Sequence, residues 1–596
     1  MTHSRRDFLA AASITLMGLA ADQSTQAQVP STPGAPPAFG TAPSVGPEVT
    51  PEIFASAEHL VDVTLSPAER AEAAGNWRSA IAPVYERRTG PKKVTIPSEV
   101  QPYSHWKAQL PGQTLATQRD LFVRSETNPG PLPSTDAGIA YAPISRLCRW
   151  IESRKLTSER LTRIYLARLK QFNPKLNCVI NLTEEHALEQ ARVADQEIAA
   201  GHYRGPLHGI PWGAKDLLDT TGIATTYGAE PFRNRIPTQN ATVVDRLNQA
   251  GAVLVAKLSL GALALNDIWF GGQTMNPWLL EEGASGSSAG PGAAVAAGLV
   301  GFAIGSETEG SIVSPSMRNG VTGLRPTFGR VPRTGAMTLA WSLDKLGPMA
   351  RSVEDTMLVL QSITGPDGKD VSCVPSHLDF EAAKPVQGLR VGYFPHWMNE
   401  APATAVDRHA LDTIKQLGMT PVEVSLPDWP YASLNLILFS EAAAAFEELT
   451  LSGQASQLKM QVPDAWPNLF RQARFLSAVD FVQTDRLRRM FAMEMARILS
   501  GVDLLLVPSL RDEILTITNF TGQPSLTLRA GFVETSDARS DWAPDPLHPL
   551  PHFSTPRRVP HGVTLIGRIF DEGTIARVGL ALEKSFNVAH EAPAGF

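Results

Sequence analysis

Cysteine is scarce in this chain: Cys148, Cys178 and Cys373 are the only three in 596 residues, with no CxxC pair and no Cys/His cluster at zinc spacing. A disulfide framework and a zinc finger are therefore excluded. One disulfide stays open, since sequence singles out no pair, and buried free thiols are the expectation. The thirteen histidines are scattered without an HExxH, so each reads as structural or surface, His208 being the one to follow because it precedes Lys215 closely. Neither sign of charge dominates: 53 Lys+Arg face 59 Asp+Glu for a net charge of -6. Such a balance gives no polyanion-binding surface and argues against nucleic acid as a partner. Beyond the N-terminus no 18-residue apolar run escapes charges or turn residues, so no stable membrane span is expected in the mature chain.

What is present begins with an address. Ser4 to Leu9 reads SRRDFL, an apolar stretch runs from Phe8 to Ala21, and a polar segment ends at Thr25-Gln26-Ala27. This pattern resembles a twin-arginine export signal over residues 1–27 and predicts a periplasmic or secreted protein. Residues 28–139 follow as a flexible linker and an N-terminal helical and extended arm, the linker being rich in Pro, Ala, Gly, Ser and Thr up to about Pro51. Within the arm, Ser66, Pro67 and Glu69 form a capping-box start for a helix.

From residue 140 to 596 helical and strand patterns alternate. Helices are predicted within Ser145–Gln171, over Thr183–Ala200 and at Thr242–Ala250, and strands over Leu207–Trp212 and Ala252–Leu258. Further on, Leu389–Phe394, Pro524–Leu528 and Val563–Gly567 read as strands, and Val406–Leu417, Ser440–Leu449, Arg474–Leu499 and Gly573–Phe586 as helices. The densest feature is Gly283 to Pro332, where Gly, Ala and Ser dominate the first part. Small side chains let backbone approach backbone and leave N–H groups free to face a bound oxygen. Ser287, Ser288 and Ser311 lie there, and a serine needs a base before it becomes a nucleophile. Lys215, preceded by apolar and small residues with no acidic partner, is the candidate: a desolvated lysine can stay neutral and accept a proton. Two shorter matches are set aside. Gly286 to Gly290 fits GxSxG but lacks an apolar strand before it, since Leu279–Gly283 reads LLEEG, and Ser342 to Lys345 fits SxxK with no SDN or KTG companion.

GIPWGAKD around Lys215, SGSSAGPGAAVAAG from Ser285 to Gly298, and GSETEGSIVSPS through GLRPTFGRVP from Gly305 to Pro332 stand in one order. SLDKLGPMARSVED, DLLLVPS, NFTGQPSLTL and IGRIFDEGT continue it downstream. Together these blocks resemble the amidase signature family over roughly residues 140 to 590. The resemblance implies an α/β/α layered fold, a large mixed β-sheet covered by helices. It also implies a Ser-Ser-Lys relay in which Lys215 draws a proton through Ser287, whose peptide bond is cis, while Ser311 attacks an amide or ester carbonyl. The oxyanion would be held by the backbone N–H groups of Thr308, Glu309, Gly310 and Ser311. No metal or organic cofactor is implied.

The chain departs from the family pattern at several places: Glu309 replaces the usual Gly, Glu307 the usual Asp, Val313 a common Arg, and Ser285 and Ala289 replace glycines. If Glu309 required a left-handed backbone the cost would be on the order of 1 kcal/mol. For substrate contacts, Ser288 and the aromatic and sulfur side chains Trp269, Phe270, Met275 and Trp341 flank the blocks, and they suit an aryl or extended apolar acyl group. Helical insertions between residues 366 and 500 are expected to wall the pocket. The first reading is an amidohydrolase for a small-molecule linear carboxamide, anilide or ester. A glutamine-hydrolysing subunit of a transamidation complex and a catalytically weakened binding protein are the alternatives. A homodimer is left open.

Overall fold

Alternating residues on neighbouring strands bury into two separate cores, and that pattern sets the architecture. Leu254, Phe302, Ile304 and Leu346 enter the larger core, whereas Val253, Val255, Ala303 and Met349 enter the smaller. Strands apolar on both faces need cover on both faces. The chain's computed structural model, which describes residues 35–36, 38–97, 100, 102–104, 119–126 and 128–596, supplies it with helices on either side of one sheet. The N-terminal signal reading, residues 1–27, lies outside the described residues.

The sheet has eleven strands, here numbered in chain order: β1 Val179–Leu182, β2 Pro211–Lys215, β3 Val253–Leu258, β4 Phe302–Glu307, β5 Thr322–Arg325, β6 Lys345–Ala350, β7 Arg390–Tyr393, β8 Thr420–Glu423, β9 Leu504–Pro508, β10 Ser525–Asp537 and β11 His552–Gly567. Their spatial order is β8-β7-β9-β11-β10-β5-β6-β4-β2-β3-β1. β2 runs parallel to β3 and β4, while β6 lies antiparallel between β4 and β5, so the sheet is mixed as expected. The carboxyl ends of β2 and β4 therefore open side by side, bringing Lys215 next to Ser306 and Glu307. In α/β sheets, ligands bind at such strand ends.

Several elements differ from the sequence reading. Leu207–Ile210 turns rather than extends, and the strand is Pro211–Lys215. β10 and β11 are far longer than the apolar runs that signalled them, because their outer halves leave the apolar core: the exposed part of β11 is rich in charge and proline. Leu279–Gly283 is a strand after all, but it pairs with Met275–Asn276 in a hairpin apart from the sheet, so the nucleophile-elbow reading still lacks its support. Over its described part, residues 35–36 and 38–50, the expected flexible linker lies against the body. Phe39 packs edge-on against Phe439, ring centroids 5.2 Å apart, and the Val45 N–H donates to the Arg78 carbonyl at 3.0 Å. A single aromatic anchor, diluted among Pro, Ala and Gly, escaped a reading by composition. The unforeseen helix Pro51–Val61 follows, and the Ser66/Glu69 capping box opens Pro67–Ala80 as expected. Leu121–Val123 of the extended arm pairs with Asp379–Glu381. All three cysteines are free and buried. Among the described residues no helix is long and apolar enough to cross a membrane.

Candidate active site

Lys215 ends β2 with a side chain wholly removed from solvent. Burial pushes its amine well below the ordinary lysine value, and Asp344 and Glu307, which oppose that shift, make no ion pair with it. Its Nζ lies 2.8 Å from Ser287 Oγ, 3.0 Å from Ser288 Oγ and 2.8 Å from Ser306 Oγ. The role of the Ser288 hydroxyl is fixed by its other contacts. Ser288 Oγ already donates to the Ser306 carbonyl at 3.1 Å and accepts the Ser306 N–H at 3.2 Å, so toward Lys215 it accepts. The Ser306 carbonyl lies 3.5 Å from the same Nζ. A charged amine could donate to all three hydroxyls, whereas a neutral one, which burial favours, can donate to Ser288 and one neighbour and keep a lone pair for the Ser287 hydroxyl.

Ser287 is held by what precedes and follows it. The Gly286–Ser287 peptide bond is cis. Asp541, 255 residues further along, accepts the Gly286 N–H at 2.9 Å and the Ser285 hydroxyl at 2.7 Å, and it pairs with buried Arg318 at 3.0 Å. Ser285 has a φ of +61°, which explains why glycine is usual there: a left-handed residue with a Cβ costs about 1–2 kcal/mol. Its hydrogen bond to a carboxylate offsets that cost. Behind the serine pair, the helix Ala289–Ala296 sits so close to Ser259 that a Cβ on Gly290 would come within 2.6 Å of the Ser259 carbonyl oxygen. The small residues of this stretch are thus a packing requirement.

Thr308 to Ser311 form the turn between β4 and the helix Val313–Asn319. Glu307 organises it. Its carboxylate accepts the Ile312 and Val313 N–H groups at 2.6 and 2.9 Å, pairs with Arg325 at 2.7 Å and accepts the Asn519 amide at 2.9 Å. Although burial raises its pKa, Arg325, Lys345 and the Val313 N–H together hold it below the usual carboxylate range. The left-handed conformation falls on Gly310, φ +94°, and not on Glu309, so the strain expected at Glu309 does not arise. Among the described residues the N–H groups of Glu309, Gly310 and Ser311 have no internal hydrogen bond, as donors for an oxyanion require. The Ser288 N–H donates to the Ser311 carbonyl at 3.2 Å, tying this turn to the serine pair. Val313 packs with Met317, Leu510 and Leu515 instead of presenting a charge.

Ser311 opens into a cavity of about 60 Å³ that Gly286, Thr308 and Glu309 also line. A larger lobe of about 220 Å³ shares Ala264, Thr308 and Leu339 with it and reaches Ser306 and Trp341. Trp341 is half exposed at that lobe. Trp269, Phe270 and Met275 line neither: Trp269 and Phe270 pack on each other, centroids 4.8 Å apart, and Met275 belongs to the small hairpin. Ser288 touches Lys215 from behind and lines neither lobe. Leu438 and Trp466, from the inserted helices, and Phe39, from the N-terminal segment, are the apolar walls that sequence reasoning missed. Asp541 was likewise missed; each lies far along the chain, with no local pattern to mark it. His208 is buried against Arg204 and Glu197, away from the site.

Glu309 keeps part of its surface open to the cavity, and burial pushes its carboxyl up to about 8. Thr516 Oγ1 donates to it at 2.8 Å. The sign of the pH effect follows. Between the ordinary carboxylate range and pH 8 the folded state holds a proton that the unfolded state has shed, so stability falls as pH rises through that window. Glu309→Gln lacks this dependence. Its thermal midpoint relative to wild type should climb from pH 5 to pH 8 and then level; a difference constant with pH contradicts the assignment. A second test concerns Gly305, where an added Cβ would sit 2.9 Å from Ser288 Oγ and 3.0 Å from Met349 Sδ. Gly305→Ala should cost about 1–3 kcal/mol in denaturant unfolding, as overpacked cores do.

The Amidase family matches residues 160–576. One component of the glutamyl-tRNA(Gln) amidotransferase of Pseudomonas aeruginosa is 31% identical over 503 residues, covering 76% of this chain and 99% of that protein. The native peptide amidase from Stenotrophomonas maltophilia superposes with a TM-score of 0.65 at 27% identity, covering 77% of this chain and 99% of that one. A bacterial aryl acylamidase, at 20% identity and a TM-score of 0.65 over 76% of this chain and 99% of its own, shares the fold. A match across some 70% of the chain, with relatives above 30% identity along nearly their whole length, establishes descent: this chain belongs to the amidase family.

Proposed function

We propose that the protein hydrolyses a linear carboxamide, with anilides and esters as related substrates, through an acyl-enzyme on Ser311. The observation that carries this reading is a wholly buried Lys215 without an ion pair among the described residues, its Nζ 2.8 Å from the Ser287 hydroxyl. In the proposed sequence Ser287 passes its proton to Lys215 Nζ and takes one from Ser311 Oγ, which bonds to the carbonyl carbon. The oxyanion is received by the N–H groups of Thr308, Glu309, Gly310 and Ser311. On collapse the C–N bond breaks, and the proton held by Lys215 returns through Ser287 to the leaving amine. Water, activated by the same relay, then breaks the acyl–Ser311 bond and releases the acid.

A second reading, hydrolysis of glutamine within an amidotransferase, is favoured by the Pseudomonas aeruginosa relative. Glutamine brings an α-carboxylate, which calls for a cationic partner. Among the described residues no lysine or arginine lines the Ser311 cavity. Arg333 in the larger lobe is committed to Asp370, 2.9 Å from Nε and 3.0 Å from Nη2, and to the Trp341 carbonyl at 2.7 Å. Release of 4-nitroaniline from acyl anilides and of ammonia from aliphatic amides, measured beside ammonia release from glutamine, decides between them. Turnover of glutamine alone would overturn the first reading. Export through the twin-arginine-like segment is part of the proposal; changing Arg5 and Arg6 to lysine should leave the protein in the cytoplasmic fraction, and unchanged export would contradict it.

A further inference from the structure

Three carboxyl groups line the cavity at Ser311, and among the described residues no lysine, arginine or histidine does. Glu309 accepts the Thr516 hydroxyl at 2.8 Å, and the Asn435 amide lies 3.1 and 3.2 Å from its two oxygens, donating to them once its nitrogen is turned inward. Asp464 is 5% exposed, lines the same cavity and accepts the Ala543 N–H at 2.9 Å. Among the described residues no lysine, arginine or histidine lies within ion-pair distance of either carboxyl. Asp541, the third acid of the lining, differs: Arg318 and the Ser285 hydroxyl take up its oxygens. Buried carboxylates are ordinarily paired with a cation or discharged. Here the protein supplies hydrogen-bond donors to Glu309 and withholds the positive charge.

We infer that Glu309 is a specificity residue that selects substrates bearing a primary ammonium group, which completes the missing ion pair with Glu309 and is shared with Asp464. This deepens the amidase reading above and rests on it. The dimensions agree: the cavity of about 60 Å³ admits an ammonium head, and the larger lobe that it adjoins at Ala264, Thr308 and Leu339 has room for a short alkyl chain. Pro36, Ala38 and Phe39 close the lobe on one side, and in such a sheltered site an ammonium–carboxylate contact is stronger than in water. An ammonium group favours the ionised Glu309 and draws its proton off on binding, whereas a substrate carboxylate finds no cation here.

The test uses n-butylammonium, 1-butanol and n-butyrate, matched in ionic strength, as protectants against fluorophosphonate labelling of the full protein at pH 7.5, with intact mass as the readout. Wild type should be protected by n-butylammonium at a concentration at least tenfold lower than by 1-butanol, with n-butyrate weakest. In Glu309→Gln the ratio between n-butylammonium and 1-butanol should fall at least fivefold, and in Asp464→Asn by a smaller factor. Equal protection by the three compounds in wild type, or an ammonium preference undiminished in both variants, would overturn the inference. If Ser311 cannot be labelled at all, the amidase reading fails separately. The shift in thermal midpoint that each compound gives to wild type and to Glu309→Gln then decides the charge preference by itself: a larger shift with n-butylammonium, lost in the variant, supports it, and equal shifts overturn it.

Discussion

Replacing Lys215 with methionine should lower kcat/KM on the best amide substrate by on the order of 10²- to 10⁴-fold, the range set by loss of a positioned general base. Methionine keeps most of the buried volume and removes the one atom that Ser287, Ser288 and Ser306 share. Lys215→Arg should not rescue, because arginine stays charged and offers no lone pair. The pH profile separates a base from a packing residue. Burial depresses the lysine, so wild-type activity should rise with pH as the amine sheds its proton, at a pH below the ordinary lysine range. The methionine variant should retain only a trace of activity without that limb. A rate within tenfold of wild type, with the limb intact, would remove Lys215 from the mechanism.

Glu307→Ala should cost about 3–5 kcal/mol of stability, the usual result of removing one partner of a buried ion pair. Arg325 is wholly buried, and its guanidinium would lose the carboxylate 2.7 Å away while still bonded to Thr518 and the Gln523 carbonyl. The Ile312 and Val313 N–H groups would lose their acceptor at the same time, loosening the turn that carries Ser311. Denaturant unfolding of the single variant and of Glu307→Met/Arg325→Met checks this. The double replacement should recover part of the loss, since an apolar pair leaves no buried charge uncompensated. A single-variant effect below about 0.5 kcal/mol, as at surface positions, would show that Glu307 is not the organising group.

The parts of the site that sequence makes visible are those whose chemistry is local. Lys215 stands out because apolar neighbours announce its burial, and the serine pair because its small-residue surroundings are unusual for a core. β3 is plain from its apolar run, interrupted only by Lys257. What stays hidden depends on distant partners. Nothing near Asp541 announces that it pins Gly286, and nothing near Asn435 or Thr516 announces the Glu309 carboxyl; these meetings are made by the order of the sheet and by helices inserted between β8 and β9. Composition also misleads in both directions. It hides the anchor at Phe39, and it draws Trp269 and Phe270 toward the pocket when their rings satisfy each other. The departures at Ser285 and Glu309 become intelligible only with the backbone angles in hand, since the strained position is Ser285 and the turn's own left-handed residue is Gly310.

The most direct measurement is intact mass after a fluorophosphonate is applied to the full chain at neutral pH, beside Ser311→Ala and Lys215→Ala. It requires no knowledge of the substrate. One covalent adduct on wild type, absent from Ser311→Ala and formed far more slowly by Lys215→Ala, is the expected result. A folded wild type that takes up no adduct, or an adduct that persists in Ser311→Ala, would contradict the relay and bring forward a protein that binds amides without cleaving them.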